Sequence, residues 1–219
     1  MIAIIDYGMG NLRSVEKGFQ KVGVDVCVTN RPEVVDKADG VVLPGVGAFR
    51  ECMRELANLN LTDSVVDTIK KKKPYLGICL GLQVLFSEAE EFGICRGLDI
   101  FKGRVVKFDF GSKDSSINNL QPAICNLKVP HMGWNRIKIR GNNPLFNGIE
   151  DNPFVYFVHS FYVVSEDESI VSTTTDYGVE FTSTIWKDNV YAVQFHPEKS
   201  QTVGLKILEN FGKIVNGNL

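Results

Sequence analysis

One cysteine flanked by two glycines is the first place in this sequence where chemistry is expected. The stretch reads GICLG, from Gly77 to Gly81, inside the apolar segment PYLGICLGLQVLF. Glycine is costly within a regular helix or strand, so two glycines beside one thiol indicate backbone bent tightly around that thiol. Gly-x-Cys-x-Gly is the sulfur version of the Gly-x-Ser-x-Gly nucleophile elbow, a strand-to-helix turn that lifts a side chain above the sheet. We therefore interpret Cys79 as a nucleophile rather than a core thiol.

A cysteine nucleophile needs a base, and the base needs a group that orients it. Only three histidines are available: His131, His159 and His196. The segment QFHPEKS puts His196 and Glu198 two residues apart, directly after a predicted strand. Pro197 disfavours helical backbone at the preceding residue, so we expect the segment to stay extended, with His196 and Glu198 on one side. Glu198 would hold the imidazole while His196 faces the thiol, and the other two histidines are interpreted as structural or wall residues.

The tetrahedral intermediate formed by such a nucleophile needs hydrogen-bond donors. In an elbow, one donor is the backbone N–H after the nucleophile, which here belongs to Leu80. The second donor comes from the loop after the third strand, which is the glycine-rich segment PGVG at residues 44–47. One such donor typically contributes about 2.7–4 kcal/mol in the transition state.

Composition bounds the class of protein. The chain has 219 residues, is 44% hydrophobic and carries a net charge of −2, so no overall basic field points to nucleic acid or a membrane surface. The basic run KKKK at 70–73 is interpreted as a solvated helix end. The start, MIAIIDYGMGN, predicts a strand rather than a signal peptide, and no stretch reaches about 18 apolar residues. Five cysteines without CxxC or zinc spacing predict reduced thiols in the cytoplasm, with no metal or cofactor.

Strands and helices alternate in the first half of the sequence. Apolar runs predict strands at 2–5, 24–29, 40–43 and 75–78. Helical spacing predicts helices from Leu12 to a stop at Gly23, at 32–38, around 49–56, after a cap at Thr62, and at 82–92. Buried strands that alternate with helices indicate a mainly parallel sheet covered on both faces.

The second half has a different rhythm. Strand-like segments follow one another at 103–108, 133–139, 154–164, 169–175, 179–186 and 190–195, with connections too short for helical crossovers. Additional antiparallel strands are therefore expected, followed by a last helix that begins near Ser200. Residues 109–122 read as a polar loop, and no linker divides the chain. The sequence predicts one α/β domain over residues 1–219.

Several motifs resemble a known family. GICLGLQ together with HPE resembles the class I, triad-type glutamine amidotransferases, whose fold is a flavodoxin-like α/β sheet. DYGMGN, LPGVG, PHMGWN, YFVHSF and FHPEKS are more narrowly similar to the glutaminase subunits of imidazole glycerol phosphate synthase. The resemblance runs nearly end to end. Two departures are a longer connection at residues 109–127 and Phe161, where many members have tyrosine.

The resemblance implies a reaction and a partner. Cys79 would attack the carboxamide of glutamine, and His196 would take its proton and return it to the leaving ammonia. The ammonia would enter a (β/α)8-barrel cyclase subunit, which forms imidazole glycerol phosphate and aminoimidazole carboxamide ribotide in histidine biosynthesis.

The resemblance implies further site residues and agrees with the oxyanion donors inferred above from the elbow. The oxyanion hole would use the N–H groups of Val46 and Leu80. Substrate contacts are expected at Gly45, Gly47, Gln83, Ser160 and Phe161. Contacts to the cyclase are expected at Asn11, Met132, Trp134 and Lys199, although Met132 and Trp134 are equally compatible with a core position. The Val46 peptide would change its orientation when the cyclase binds. Gly45 is expected to need positive φ for that change.

Three other functions remain open at this point. A related glutaminase supplies ammonia to a cyclase-like synthase of surface sugars, and the triad alone does not separate the two. A cysteine hydrolase or peptidase on a similar sheet would need no partner, and PHMGWN with Lys199 argues against it. A degenerate binding or regulatory subunit is disfavoured by the intact set of Cys79, His196 and Glu198.

Overall fold

The computed structural model describes residues 1–110 and 127–218. Its first half contributes four strands, β1 (Ile2–Ile5), β2 (Val26–Thr29), β3 (Gly40–Gly45) and β4 (Tyr75–Cys79). They form the parallel part of the sheet, in the order β2-β1-β3-β4. The helices between them are α1 (Leu12–Lys21), α2 (Pro32–Lys37), α3 (Phe49–Asn58) and α4 (Leu61–Lys70). The predicted strand and helix alternation is confirmed.

Strands from the second half extend the same sheet beyond β4. The next strand is β14 (Val190–Val193), which pairs parallel to β4 although it lies more than 100 residues later in the chain. Beyond it follow β13 (Glu180–Lys187), β11 (Phe161–Ser165), β7 (Phe101–Lys107), β5 (Phe86–Ala89) and β6 (Cys95–Arg96). At the side, β12 (Val171–Asp176) pairs with β13 and with β9 (Lys138–Ile139). Apart from β14 on β4 and β5 on β7, these pairs are antiparallel, as predicted.

Two further strands form a separate antiparallel ribbon, β8 (His131–Arg136) with β10 (Phe154–His159). Its two faces differ. His131, Phe157 and His159 point into the molecule and are buried. Met132, Trp134 and Phe154 are 62%, 45% and 48% exposed. Because side chains alternate along a strand, the ribbon presents an apolar outer face to solvent.

The sheet is covered on both sides. Along β1, Ile2 and Ile4 belong to one buried apolar cluster, and Ala3 and Ile5 belong to another. Successive residues of a strand point to opposite faces, so the two clusters lie on opposite sides of the sheet. The final helix, α6 (Gln201–Val215), packs against α1 on the side that contains Ile2 and Ile4.

Four local predictions were wrong. The helix expected at 82–92 is a single turn, α5 (Leu80–Gln83), followed by strand β5, because the short apolar run there satisfies both periodicities. Thr62 does not cap α4; Asn60 stands at that position with φ 56°. The single strand expected at 154–164 is interrupted at Ser160, and the one expected at 133–139 is interrupted at Ile137. Most of the loop predicted at 109–127 lies outside the described residues.

Candidate active site

The turn at Cys79 is sharp and strained. Cys79 is the last residue of β4 and has φ 56° and ψ −104°, in a region that residues other than glycine rarely adopt. A Cβ on Gly81 would overlap the carbonyl oxygen of Leu43, and a Cβ on Gly77 would overlap the carbonyl of Gly81. Both flanking positions therefore require glycine for steric reasons, and the chain turns here as an elbow does.

His196 and Glu198 form a buried pair beside the elbow. The Nδ1 of His196 lies 2.9 Å from Oε1 of Glu198, and the two side chains are 3% and 1% exposed. His196 itself is extended, as predicted, and its N–H donates to the carbonyl of Tyr156 at 2.9 Å. Beyond His196 the expectation of an extended segment was wrong, since Pro197–Lys199 forms a 3₁₀ turn. That turn brings the carboxylate back to the ring.

The surroundings of His196 favour its charged form. Burial alone would lower its pKa. The negative charge of Cys79, the hydrogen bond to Cys79 and the carboxylate of Glu198 outweigh burial and raise the pKa of His196 to about 10. An imidazolium beside a cysteine favours the thiolate, which is the nucleophilic form of sulfur.

The thiol opens into a pocket of about 290 Å³. Most of the sequence-predicted catalytic, oxyanion and substrate residues line it, together with one residue predicted for the partner: Val46, Gly47, Cys79, Leu80, Gln83, Ser160, Phe161, His196 and Lys199. Glu198 lies behind His196 rather than in the wall. Gly45 is not in the wall either; it is the β3 residue in register with Cys79.

The loop after β3 differs from expectation in one respect. Gly45 does not have positive φ, whereas Gly47 does, at 99°. A Cβ on Gly45 would overlap Oη of Tyr7 and lie 2.8 Å from Cβ of Leu80, so Gly45 is required by close packing instead. Val46 stands between the two glycines and is 38% exposed at the pocket. Leu80, the first residue of α5, has an N–H without an intrahelical acceptor, as at every helix start.

Two polar residues of the site were not predicted. Gln194 is fully buried, and its Nε2 lies 3.5 Å from Sγ of Cys79. It stands two residues before His196, near the end of the strand predicted at 190–195, so period-two spacing would have placed both residues on one side. Glu91 lines the pocket while its Oε2 accepts from the N–H of Phe49 at 2.6 Å. No motif marked it, because its contact with Phe49 joins residues 42 positions apart.

The residues predicted to contact a partner do not all lie together in the pocket. Met132 and Trp134 lie on the outer face of the ribbon, so the alternative of a core position is wrong for both. Trp134 packs edge-on against Tyr156 at 5.8 Å between ring centroids. Asn11 is the partly buried residue that precedes α1, and Lys199 is exposed at the pocket.

The described residues contain no cluster of three or more histidine, cysteine, aspartate or glutamate side chains suited to a metal ion. Among the same residues, no helix is long and apolar enough to cross a membrane.

A strained cysteine at the end of a parallel strand, with a histidine–carboxylate pair beside it, defines a class of α/β enzymes that attack carbonyl carbon with sulfur. A family model described as class-I glutamine amidotransferase matches residues 3–215. PurLQS of Thermotoga maritima has the same fold, with a TM-score of 0.71 at 16% identity, covering 99% of this chain and 97% of that one. The chain belongs to the class-I glutamine amidotransferase family.

Curated relatives narrow the family further. The imidazole glycerol phosphate synthase subunit HisH of Syntrophotalea carbinolica is 55% identical over 212 residues, covering 97% of this chain and 99% of that protein. The HisH subunit of Geobacter sulfurreducens is 51% identical over 213 residues, covering 97% and 98%. Within the amidotransferases, the chain therefore belongs to the HisH family.

Proposed function

We propose that this chain is the glutaminase subunit of imidazole glycerol phosphate synthase. It hydrolyses glutamine to glutamate and ammonia, and the ammonia passes to a cyclase subunit that forms imidazole glycerol phosphate and aminoimidazole carboxamide ribotide in histidine biosynthesis. The observation that carries this proposal is the strained Cys79 beside the buried pair of His196 and Glu198, in a chain about half identical to HisH proteins.

Each residue of the proposed triad has a distinct task. The sulfur of Cys79 attacks the carboxamide carbon of glutamine, and the C–N bond breaks as His196 delivers a proton to the departing ammonia. Water, deprotonated by His196, then attacks the thioester, which releases glutamate and restores the thiol. Glu198 holds Nδ1 of His196 and stabilises its positive charge. The backbone N–H groups of Val46 and Leu80 are proposed to stabilise the oxyanion.

The pocket has charges that suit an amino acid. Glu91 and Lys199 both line it, and glutamine carries an α-ammonium and an α-carboxylate at neutral pH. The amide end of the substrate would lie toward Cys79, with Gly47, Gln83, Ser160 and Phe161 around it. Since Phe161 contributes its backbone near the pocket, replacing tyrosine by phenylalanine there leaves a main-chain contact intact.

The partner surface is proposed to include the outer face of the ribbon. Met132 and Trp134 expose apolar side chains there, which is typical of a surface that another protein covers. Asn11 and Lys199 would extend the contact. Cytoplasmic location is proposed because Cys27, Cys52, Cys79 and Cys95, the cysteines in the described part of the chain, are free thiols.

Activity is proposed to depend on the partner. The exposed Val46 peptide would turn its N–H into the pocket when the cyclase binds, so the isolated chain would bind glutamine but hydrolyse it slowly. Because an oxyanion donor acts in the transition state, the liganded cyclase would raise kcat more than it changes KM.

The test compares wild type with Cys79→Ser and Cys79→Ala, each with the cyclase. Glutamine hydrolysis is expected to be lost in both variants, while cyclisation driven by added ammonium salt continues. Glutamate release near the wild-type rate in Cys79→Ala would contradict the proposed nucleophile. An isolated wild-type chain as active as the complex would contradict the switch and leave the triad standing.

A further inference from the structure

Two buried amide side chains form a hydrogen-bonded row that ends at the thiol. Gln194 is 0% and Gln83 is 6% exposed. The Nε2 of Gln83 lies 3.1 Å from Oε1 of Gln194 and 3.0 Å from the carbonyl oxygen of Phe161. The Nε2 of Gln194 lies 3.5 Å from Sγ of Cys79. Burying an amide without hydrogen bonds is costly, so this arrangement needs each of these contacts.

One carbonyl group fixes the direction of each hydrogen bond in this row of side chains. The oxygen of Phe161 can only accept, so the atom of Gln83 that faces it is the amide nitrogen. That nitrogen has a second hydrogen, which points to Oε1 of Gln194. The remaining polar atom of Gln194 is therefore its nitrogen, and this nitrogen donates to the sulfur of Cys79.

The sulfur has different partners in its two protonation states. As a thiol, Sγ has the carbonyl oxygen of Val158 as an acceptor at 3.8 Å. As a thiolate it can only accept, and the amide of Gln194 and the imidazolium of His196 are then its donors. An N–H that points at sulfur stabilises the charged form more than the neutral form.

We propose that Gln194 is a positioning residue for the nucleophile, whose amide donates to the sulfur of Cys79 and stabilises the thiolate in one orientation. The proposal rests on the glutaminase function proposed above. The Val158 carbonyl favours the thiol, and the amide of Gln194, a residue outside the triad, counteracts that effect.

The sulfur also has titratable neighbours, which the test must hold constant. His196 and Tyr7 interact electrostatically with Cys79. The other titratable side chains that line the same pocket are Glu91, His159 and Lys199. None of these is changed by a substitution at Gln194, so an altered titration of the thiol would report on the amide.

The decisive variant is Gln194→Met, which keeps the length of the side chain and removes the donor. Alkylation of Cys79 by iodoacetamide is followed against pH in the full chain without glutamine, with the modified peptide quantified by mass spectrometry. We expect the reactive fraction to move to higher pH, with roughly ten- to a hundredfold slower alkylation at a fixed pH below the midpoint. Glutamine hydrolysis in the complex should lose kcat by a similar factor, with KM changed less than about threefold.

Gln194→Glu is the second variant, and Gln20→Met on the exposed side of α1 is the matched control. The glutamate has the shape of glutamine, so it preserves packing if methionine does not, and its carboxylate opposes the thiolate still more strongly. An alkylation profile unchanged in both variants would overturn the proposal, as would a rise in KM alone, which indicates that Gln194 only supports Gln83. If wild type does not hydrolyse glutamine, the proposed function fails, while the alkylation profile still decides the hydrogen bond.

Discussion

At the residue scale, the strain at Cys79 and the charge on His196 belong to one arrangement. Positive φ at a residue with a side chain costs on the order of 1–3 kcal/mol and persists only where the surroundings impose it. Here the surroundings are the close approach of Gly81 to β3 and of Gly77 to Gly81. The result is a sulfur held beside an imidazole whose pKa is raised to about 10. The strain thus serves the position of the sulfur.

The role of Glu198 is testable by removing its charge and keeping its shape. Glu198→Gln should lower the pKa of His196, because the amide no longer stabilises the imidazolium. We expect kcat for glutamine hydrolysis in the complex to fall by roughly a hundredfold, the lower end of what a positioned base contributes. His196→Asn should lower kcat further, since it removes the proposed base itself.

Steady-state glutamate release measures both variants. Glu33→Gln, on the exposed start of α2, is the matched control and should stay within about twofold of wild type. Hydrolysis by Glu198→Gln at the wild-type rate would remove Glu198 from the proposed triad.

The sequence predicted the residues of the proposed triad but not the contacts that support them, for a physical reason. The motifs GICLG and HPE indicate the chemistry of Cys79, His196 and Glu198 from residues that are close in the sequence. Gln194 and Glu91 contact residues that lie 115 and 42 positions away in the sequence. Local sequence patterns do not reveal such pairs. The supposed positive φ of Gly45 failed similarly, since a glycine can be required by φ or by packing, and only the neighbours decide.

At the element scale, the elbow depends on how closely two strands and a single helical turn approach. Gly81→Ala would push a methyl group into the carbonyl of Leu43, so either α5 or β3 must move. Overpacking of this kind costs about 1–3 kcal/mol or more, and it displaces the thiol as well. We expect Gly81→Ala to lower the melting temperature and to reduce glutamine hydrolysis to the level of Cys79→Ala.

Gly141→Ala is the matched control. Unlike Gly81, Gly141 lies at positive φ, 70°, and a Cβ there would meet nothing within 4 Å. Its cost is only that of the backbone conformation, on the order of 1 kcal/mol, without loss of activity. Equal effects of the two substitutions would mean that the contact with Leu43 is not what makes Gly81 necessary.

Elements with one clear period were predictable, and those with competing signals were not. The helices of the first half combine an apolar face with end signals, and their bounds agree with the structure to within a few residues. The segment after Gln83 carries apolar residues that fit helix and strand alike, and pairing of β5 with β7 decides the outcome. The break at Ser160 reflects the separation of the ribbon from the main sheet, which is a tertiary effect.

At the scale of the whole molecule, two buried histidines make stability depend on pH. His159 Nδ1 lies 2.8 Å from the carbonyl of Phe161, so it donates, and in a neutral ring His159 Nε2 accepts from Nδ1 of His131 at 2.9 Å. Burial favours the neutral form of both rings. Burial lowers the pKa of His131 to about 4 and that of His159 to about 3.

Unfolding returns both rings to an ordinary pKa near 6.5. Below pH 6.5 these two rings therefore bind protons in the unfolded chain but not in the folded chain. The free energy of unfolding falls as pH falls toward 4. The loss between pH 7 and pH 5 should be roughly 2 kcal/mol for each ring. His196 has a raised pKa, so its contribution is complete below about pH 6.5 and is lost progressively as pH rises toward 10. It therefore offsets only a small part of the loss between pH 7 and pH 5.

Urea unfolding of wild type and of His131→Gln/His159→Gln at pH 7 and pH 5 measures the effect. The double variant should be less stable at pH 7, because it loses ring packing against Phe157, Tyr177 and Phe181. Its stability should nevertheless change much less between the two pH values. A wild-type chain equally stable at both pH values would contradict the neutral pair.

That residues 1–219 form a single domain stays a prediction of the sequence.

The place of β14 in the sheet bears on how this protein is made. Although β14 is the last strand in the sequence, it lies between β4 and β13 in the sheet. During synthesis, β4 leaves the ribosome more than 100 residues before its partner β14. Until then the nascent chain carries Cys79 next to an open strand edge and without His196 or Glu198. Unpaired edges invite association with other chains, so growing chains should depend on holding chaperones through most of their synthesis. The same order of assembly means that a growing chain cannot consume glutamine before residue 198 has emerged, because Cys79 lacks its proposed partners His196 and Glu198 until then.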